Sequence, residues 1–328
     1  MSFWDTLLGR AHARRGGKPG EAAERRASRA RLASRAEQEL FDDEFLKRLE
    51  SLAIVSRRIA AGRQRADRRS KKRGSGVEFA DHRTYVAGDD IRHLDLGVYQ
   101  RLGKLLIRLY EEEEDLSIYF ILDCSASMGF GDQRKFDQAR RVAAALAYVA
   151  LSGLDRVTIV GARDELSARM PTTRGKSRIF RVFRFLGGLS PGGRTNLYEA
   201  AKTFVAQHKR RGVAVLLSDL YDPAGFEGGI NVLRFNKFEP YVVHLVDARD
   251  AHPPLHGDVR IVDCESGENR DVTVTKGVLG ELSKSYEAYL QGIERFCASR
   301  QVPYVAASVD EPFDELVLRV LRRGGLVG

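Results

Sequence analysis

One aspartate and two serines occupy alternate positions directly after an apolar segment of the chain. Residues 116–122 have the nearly continuous apolar character of a buried strand, and Asp123, Ser125 and Ser127 follow it. Their oxygen atoms are therefore expected where a parallel sheet ends and its crevice opens. Carboxylate and hydroxyl oxygens suit Mg²⁺ or Mn²⁺, whereas zinc is usually held by Cys and His. The spacing predicts a divalent-metal site.

Two later loops supply further oxygen ligands. A Gly-rich turn presents Thr195, and a second apolar strand, 213–218, ends in Asp219. We expect the hydroxyls to bind the ion directly and the carboxylates to hold bound waters, with Ser125, Ser127 and Thr195 in the first role and Asp123 and Asp219 in the second. One octahedral position would then stay open for the carboxylate of a partner. In the simpler alternative, these side chains only cap the following helices.

The motifs resemble those of known families. The D-x-S-x-S turn, the Gly-Gly-x-Thr turn and the strand-end aspartate are similar to the metal-ion-dependent adhesion site (MIDAS) of von Willebrand factor A domains. Upstream, four segments resemble the signature block of a bacterial family known as domain of unknown function 58: Arg73–Phe79, Asp81–Tyr85, Gly88–Arg92 and Leu94–Leu96. The chain departs from that pattern at Leu96, where Trp is usual, and at Ala87, where Pro is common.

The resemblance implies a partner protein, and the sequence shows no convincing catalytic constellation. Similar proteins are thought to act with MoxR-type AAA+ ATPases as adaptors or chaperone-like factors, so we expect such an ATPase and an unidentified client protein as partners. Many relatives carry membrane helices. The apolar stretches here are strand-length and far shorter than the roughly 20 residues that span a bilayer. We therefore expect a cytoplasmic protein without a transmembrane segment.

Polar residues crowd the signature block and have two possible roles. They could hold turns together through carboxylate–guanidinium pairs and helix caps. They could instead form a docking surface near the metal-binding face. The candidate docking residues are Asp81, Arg83, Asp89, Asp90, Arg92 and Asp95.

The distribution of charge along the chain and the spacing of the cysteines limit the classes of function to be considered. Residues 1–73 hold 20 of the 54 Lys and Arg residues and 10 of the 45 Asp and Glu residues, so the net charge of +9 arises in this region. The basic run from Arg63 to Arg73 has no interleaved aromatics, which favours a solvated linker or a contact with an acidic partner over nucleic acid. The 3 cysteines are far apart, which argues against a disulfide framework.

Strand patterns alternate with helix patterns after residue 115, which predicts an α/β fold with a doubly wound, mostly parallel sheet. This arrangement is Rossmann-like, and the resemblance makes it von Willebrand factor A-like. We expect a basic extension at 1–40, an amphipathic helix and basic linker at 41–73, a small β-rich subdomain of short extended pieces at 74–114, and the main domain at 115–328. An inserted hairpin is predicted at about 257–276.

Two other function classes stay open. A Mg²⁺-dependent phosphate-handling enzyme could use Asp123 and Asp219, although a phosphoaspartate enzyme would need a second carboxylate at position 125, which is Ser125. A nucleic-acid-associated factor could act through residues 57–73, with an affinity that falls steeply as salt rises.

Overall fold

The computed structural model describes residues 40–66, 73–74, 78–111, 116–132 and 134–324. Several sequence predictions therefore lie outside the described residues. These are the extension at 1–39, part of the basic run at 67–72, part of the signature block at 75–77, and the end of the predicted subdomain at 112–114.

The strands and helices alternate along most of the chain. The strands are β1 (Arg73–Gly74), β2 (Glu78–Thr84), β3 (Leu106–Glu111), β4 (Ser117–Asp123), β5 (Arg156–Ala162), β6 (Leu166–Arg174), β7 (Val213–Ser218), β8 (Glu239–Val246), β9 (Gly257–Val262), β10 (Asn269–Val274) and β11 (Tyr304–Ser308). The helices are α1 (Asp43–Ala66), α2 (Leu96–Leu102), α3 (Arg134–Ser152), α4 (Ile179–Gly187), α5 (Leu197–Gln207), α6 (Glu227–Phe235), α7 (Ala248–Ala251), α8 (Lys276–Ser299) and α9 (Phe313–Gly324).

The chain divides into two compact units. The larger unit contains the described residues up to Ile59 and from Leu116 onward, and the smaller unit contains those between Ala60 and Asp115. In the larger unit, the described strands form a six-stranded sheet in the order β11-β8-β7-β4-β5-β6. Neighbouring strands are parallel except for β5 and β6. The predicted α/β fold with a mostly parallel sheet is confirmed.

The sheet is buried on both faces because its strands are apolar on both faces. In β4, Phe120 and Leu122 join the core beneath α1, α3, α4 and α9, while Tyr119 and Ile121 join the core beneath α5, α6 and α8. Strands covered by helices on both faces are apolar at successive positions and do not alternate with polar residues.

The antiparallel edge strand β6 follows from the short loop that precedes it. Only residues 163–165 separate β5 from β6. A parallel neighbour needs a crossover of a dozen or more residues, so such a short loop permits only a hairpin. β6 then runs from Leu166 to Arg174.

The described part of the smaller unit contains a helix, α2, where the sequence analysis predicts only short extended pieces. Its described strands form a three-stranded antiparallel sheet in the order β1-β3-β2. α2 follows Asp95, whose carboxylate accepts a hydrogen bond from the amide of Val98 and caps the first turn. The prediction of extended structure was wrong for Leu96–Leu102. The Asp95 cap and the left-handed backbone conformation of Gly103 favour a short helix there.

The larger unit also contains an antiparallel hairpin of β9 and β10, which lies between α7 and α8 in the chain. Its strands are mostly exposed, but Ile261 and Val274 are buried. Among the described helices, none is both long enough and apolar enough to cross a bilayer.

Candidate functional site

The candidate site lies at the point where the strand order of the sheet reverses. The chain passes from β4 to β5 and β6 on one side and then returns to β7 on the other side of β4. Asp123 is the last residue of β4, and Asp219 directly follows β7, its parallel neighbour. In open α/β sheets, the crevice at such a reversal is the usual ligand-binding place. Both aspartates are nearly inaccessible, with 1% and 0% of their surface exposed.

The two predicted serine ligands lie in the turn that leaves β4. The carboxylate of Asp123 accepts a hydrogen bond from the amide of Ser125 at 2.9 Å, which bends the chain back over the strand end. Ser125 Oγ lies 3.0 Å from Ser127 Oγ, and Ser127 Oγ donates to Asp219 Oδ1 at 3.2 Å. Four of the five predicted site residues are therefore joined by one hydrogen-bond network.

The Gly-rich turn approaches this network through its backbone. The amide of Ala126 donates to the carbonyl of Gly193 at 3.1 Å, and the amide of Gly192 donates to the carbonyl of Cys124 at 2.8 Å. Gly193 has a φ of +88°, a conformation that other residues rarely adopt. The turn thus joins the two loops directly before Thr195.

Thr195, the fifth predicted ligand, is bound to a carboxylate from another part of the chain. Its amide donates to Glu265 Oε2 at 2.9 Å, and its hydroxyl donates to Glu265 Oε1 at 2.7 Å. Glu265 belongs to the turn of the β9–β10 hairpin. Burial, followed by the nearby charges of Asp219 and Asp263, raises the pKa of Glu265, while the two bonds from Thr195 lower it.

A buried lysine neutralises part of the acidic cluster. Lys135 Nζ donates to Asp219 Oδ2 at 2.7 Å and to Asp250 Oδ2 at 3.3 Å, and it lies 4.8 Å from the ring centroid of Tyr221. Tyr221 also donates its hydroxyl proton to Asp250. Burial would lower the pKa of Lys135, but the two carboxylates outweigh this effect and raise it above the ordinary value. Lys135 therefore carries a positive charge.

The Asp123 carboxylate accepts hydrogen bonds, but no described positive charge compensates its negative charge. Ser218 Oγ donates to Asp123 Oδ2 at 2.5 Å, and among the described residues no cationic side chain pairs with Asp123. Burial and the neighbouring charge of Asp219 raise the pKa of Asp123 to about 7. The crevice thus has more acidic groups than the single ammonium of Lys135 can neutralise, an arrangement that favours binding of a further cation.

The possible metal ligands of the His and Cys type do not form a cluster in the described part of the chain. No group of three or more His, Cys, Asp or Glu side chains there has the arrangement of a metal site. The free Cys124 is buried beside Asp123, and burial raises the pKa of its thiol to about 12.

The candidate docking residues of the smaller unit take part in turns and ion pairs of that unit. The Arg83 guanidinium donates to Asp89 at 2.8 Å, and Asp89 also accepts a bond from the amide of Val86. Asp90 caps a short 3₁₀ turn and pairs with the Arg92 guanidinium at 2.7 Å. These contacts agree with the role of holding turns together, and a docking role stays a prediction.

Asp95 is the most heavily engaged of these residues. It caps α2, accepts two bonds from the Arg108 guanidinium at 2.8 and 3.0 Å, and lies 2.8 Å from His82 Nε2. The Arg108 and His82 bonds hold its pKa well below the ordinary range. Asp81, the remaining candidate, accepts a bond from the amide of His82 at 2.8 Å.

Three residues of the cluster escaped the sequence analysis. Lys135 precedes the apolar face of α3 and has no distinguishing spacing. Asp250 lies in the short helix α7, after β8. Glu265 lies in the predicted hairpin. That hairpin follows β8 in the chain, and the carboxyl ends of parallel strands meet at one edge of the sheet, so its position is the signal that could have located Glu265.

A comparison with protein families identifies a family whose function is unknown. Residues 81–287 match the family described as Protein of unknown function DUF58. The chain is 26% identical over 263 residues to the uncharacterised protein Rv1480 of Mycobacterium tuberculosis, covering 78% of this chain and 83% of that protein. It is also 26% identical over 140 residues to the uncharacterised protein MAV169 of Mycobacterium avium, covering 42% of this chain and 82% of that protein.

Solved structures are similar only in part. The conserved hypothetical protein BatB of Bacteroides thetaiotaomicron aligns with a TM-score of 0.40 and 14% identity, covering 65% of this chain and 98% of that chain. The pilus adhesin SpaC of Lactobacillus rhamnosus GG aligns with a TM-score of 0.41 and 11% identity, covering 66% of this chain and 31% of that chain.

Proposed function

This chain belongs to the family described as Protein of unknown function DUF58, and on that premise we propose that it is a metal-dependent protein-interaction module. The module is von Willebrand factor A-like, and its adhesion-type site holds Mg²⁺ or Mn²⁺. Ser125, Ser127 and Thr195 would bind the ion directly, and Asp123 and Asp219 would bind its waters. When present, the ion would offer a position for the carboxylate of a partner protein.

The spacing of the two serine hydroxyls is the observation that carries the proposal. Ser125 Oγ and Ser127 Oγ are 3.0 Å apart. Mg²⁺ binds oxygen ligands at about 2.0 to 2.1 Å in octahedral geometry, which separates neighbouring ligands by roughly 3 Å. The serine pair therefore suits two adjacent positions of an octahedral ion.

Electrostatics supports the same proposal. Asp123 and Asp219 are both buried, and of these two aspartates only Asp219 pairs with Lys135. A divalent ion beside Ser125 and Ser127 would compensate the remaining negative charge. Because hydroxyl ligands are neutral, the ion would be weakly held until a partner's carboxylate completes the site.

The partner proposal comes from the family resemblance described in the sequence analysis. We propose a MoxR-type AAA+ ATPase as the energy source and an unidentified client protein as the substrate of remodelling. The carboxylate that enters the site would belong to one of these two proteins.

Catalysis of phosphate transfer is less well supported. As a nucleophile, Asp123 would need an accessible oxygen, but it is only 1% exposed and both of its oxygens accept hydrogen bonds, from Ser125 and Ser218. The non-enzymatic function is therefore the better proposal.

A four-way capture experiment tests the proposed function. The full-length protein and its Asp123→Ala, Ser125→Ala variant are immobilised, and native lysate is passed over each with Mg²⁺ or with a chelator. Circular dichroism confirms that both proteins are folded. We expect an AAA+ ATPase of the MoxR type to be retained by the intact protein with Mg²⁺ and lost in the other three samples. Equal retention in all four samples would contradict a metal-dependent site.

A further inference from the structure

The hairpin of β9 and β10 brings an internal carboxylate to the candidate site. Glu265 contacts Thr195 through both carboxylate oxygens, at 2.7 Å from the hydroxyl and 2.9 Å from the amide nitrogen. The two residues are 70 positions apart in the chain. This contact is therefore a long-range feature of the fold and does not result from local chain geometry.

The turn that carries Glu265 is held in shape by its own hydrogen bonds. Asp263 Oδ1 accepts bonds from the amides of Glu265 at 2.9 Å and Ser266 at 2.5 Å. The amide of Gly267 donates to the carbonyl of Asp263 at 3.0 Å, and the amide of Asp263 donates to the carbonyl of Glu268 at 2.8 Å. The turn thus presents the Glu265 side chain in a defined direction.

Placing the Glu265 carboxylate in this crevice is energetically unfavourable unless a cation is nearby. Glu265 is partly buried and adds a negative charge to a crevice that already contains the buried Asp123 and Asp219. Like charges at short range repel, and the repulsion is greatest where water is excluded. A structured turn nevertheless places a carboxylate there. This placement is explained if the carboxylate binds the same ion as the other oxygen groups.

We infer that Glu265 is a built-in carboxylate of the adhesion-type site, which occupies the position that a partner's carboxylate must take. This inference rests on the proposed function and adds its regulation. The spacing permits it, because Glu265 Oε1 lies 2.7 Å from Thr195 Oγ1, close to the roughly 3 Å between neighbouring oxygen ligands of Mg²⁺. The hairpin then acts as an internal competitor that a partner displaces.

A second role for Glu265 gives a different experimental result. Glu265 could accept a hydrogen bond from the Thr195 hydroxyl and so orient that oxygen toward the ion, as outer groups often do for metal ligands. In that role Glu265 would strengthen metal binding without occupying a position on the ion. The number of water molecules on the bound ion separates the two roles.

The test uses Mn²⁺ as the probe, with the full-length wild type, Glu265→Gln and Glu268→Gln. Glu268 is a matched control because it lies in the same turn, is exposed and carries the same charge. Mn²⁺ affinity is measured by electron paramagnetic resonance, and exchangeable waters on the bound ion by water-proton relaxation. Acetate is then added as a model carboxylate. Glu265→Ala is a second variant, because the glutamine amide oxygen could still bind the ion.

We expect both Glu265 variants to bind Mn²⁺ at least about tenfold more weakly than the wild type, and we expect Glu265→Ala to gain one exchangeable water. Acetate should displace that water in Glu265→Ala at low concentration, whereas in the wild type it has to displace the Glu265 carboxylate and should need a higher concentration. Glu268→Gln should behave as the wild type does.

Two outcomes would overturn the inference in distinguishable ways. If Glu265→Gln and Glu265→Ala change neither the number of waters nor the effect of acetate, Glu265 does not occupy a position on the ion, although the proposed function stands. If the wild type binds Mn²⁺ no better than the Asp123→Ala, Ser125→Ala variant, the proposed function fails and the inference fails with it.

Discussion

Lys135 Nζ lies 2.7 Å from Asp219 Oδ2 inside the crevice, and both side chains are buried. The ammonium group therefore already neutralises one of the carboxylates that are expected to bind waters of a metal ion. It also contacts Asp250 at 3.3 Å. This arrangement makes Lys135 important for the stability of the metal-free protein and a source of repulsion for an incoming cation.

Replacing Lys135 should destabilise the metal-free protein and increase its response to Mg²⁺. Lys135→Met leaves two buried carboxylates without their cation, so we expect the free energy of unfolding in chelator to fall by about 3 to 5 kcal/mol. Mg²⁺ should then restore more stability than it gives the wild type, because the ammonium no longer repels it. Urea unfolding with and without Mg²⁺ measures both effects.

Lys284→Met is the control for this prediction. Lys284 pairs with Glu281 at 3.0 Å on the exposed surface of α8. Its loss should change the free energy of unfolding by less than about 1 kcal/mol, and it should leave the response to Mg²⁺ unchanged. Equal losses for Lys135→Met and Lys284→Met would show that the buried pair contributes no more than a surface pair.

Removing the serine hydroxyls should abolish stabilisation by Mg²⁺. At a Mg²⁺ concentration 100 times its dissociation constant, we expect the wild type to gain about 2.7 kcal/mol of unfolding free energy. The Ser125→Ala, Ser127→Ala variant should gain less than about 1 kcal/mol, because two neighbouring ligands are missing. Ser299→Ala, which removes an exposed hydroxyl of α8, should gain as much as the wild type. A full Mg²⁺ response in the double variant would argue against these ligands.

Much of the central sheet could be predicted because its strands have no polar face. β4 and β7 are apolar at nearly every position and end in polar residues, a pattern that only a doubly covered sheet accommodates. The helix α2 was missed because its signals are a single cap, Asp95, and a single Gly103, which also fit a turn. A helix of 7 residues offers too few positions for a periodic pattern.

The candidate site could be predicted only in part, for a physical reason. Asp123, Ser125 and Ser127 share one turn, so their proximity follows from spacing alone. The contact of Thr195 with Glu265 depends on where a hairpin folds, and the position of Lys135 depends on how α3 packs. Such contacts arise from tertiary structure, and no local pattern in the sequence records them.

The packing of α6 against α5 should make Gly229 sensitive to substitution. A Cβ at Gly229 would lie 2.7 Å from the carbonyl oxygen of Leu197, so the two helices would have to separate. We expect Gly229→Ala to lower the free energy of unfolding by about 1 to 3 kcal/mol. Gly292→Ala is the matched control, since a Cβ there meets no atom within 4 Å and alanine should stabilise α8 by about 0.5 to 1 kcal/mol. Urea unfolding should therefore give opposite signs, and a loss of stability in both variants would contradict the packing argument.

His208 should make the protein less stable as the pH falls below neutrality. Its ring is buried 4.5 Å from the ring of Phe204, Nδ1–H donates to the Phe204 carbonyl, and Nε2 has no hydrogen-bond partner among the described residues. Burial lowers the pKa of His208, whereas the unfolded chain takes up its proton near the ordinary pKa of about 6.5. The stability that neutral His208 provides is thus complete above that pH and decreases as the pH falls, because the unfolded state then binds more protons.

His208→Phe isolates this contribution because it keeps an aromatic ring in the stack and removes the titrating group. We expect the fall in unfolding free energy between about pH 7.5 and 5.5 to be smaller in the variant, by no more than about 1.4 kcal/mol for each pH unit below 6.5. The variant loses the hydrogen bond to the Phe204 carbonyl at every pH, which changes the free energy of unfolding by a constant amount. The comparison therefore uses the slope of the unfolding free energy against pH and not its absolute value. His256→Phe, at an exposed position, should keep the wild-type slope. An unchanged slope in His208→Phe would mean that the ring takes up its proton equally readily in the folded and unfolded states, which its burial against Phe204 should prevent.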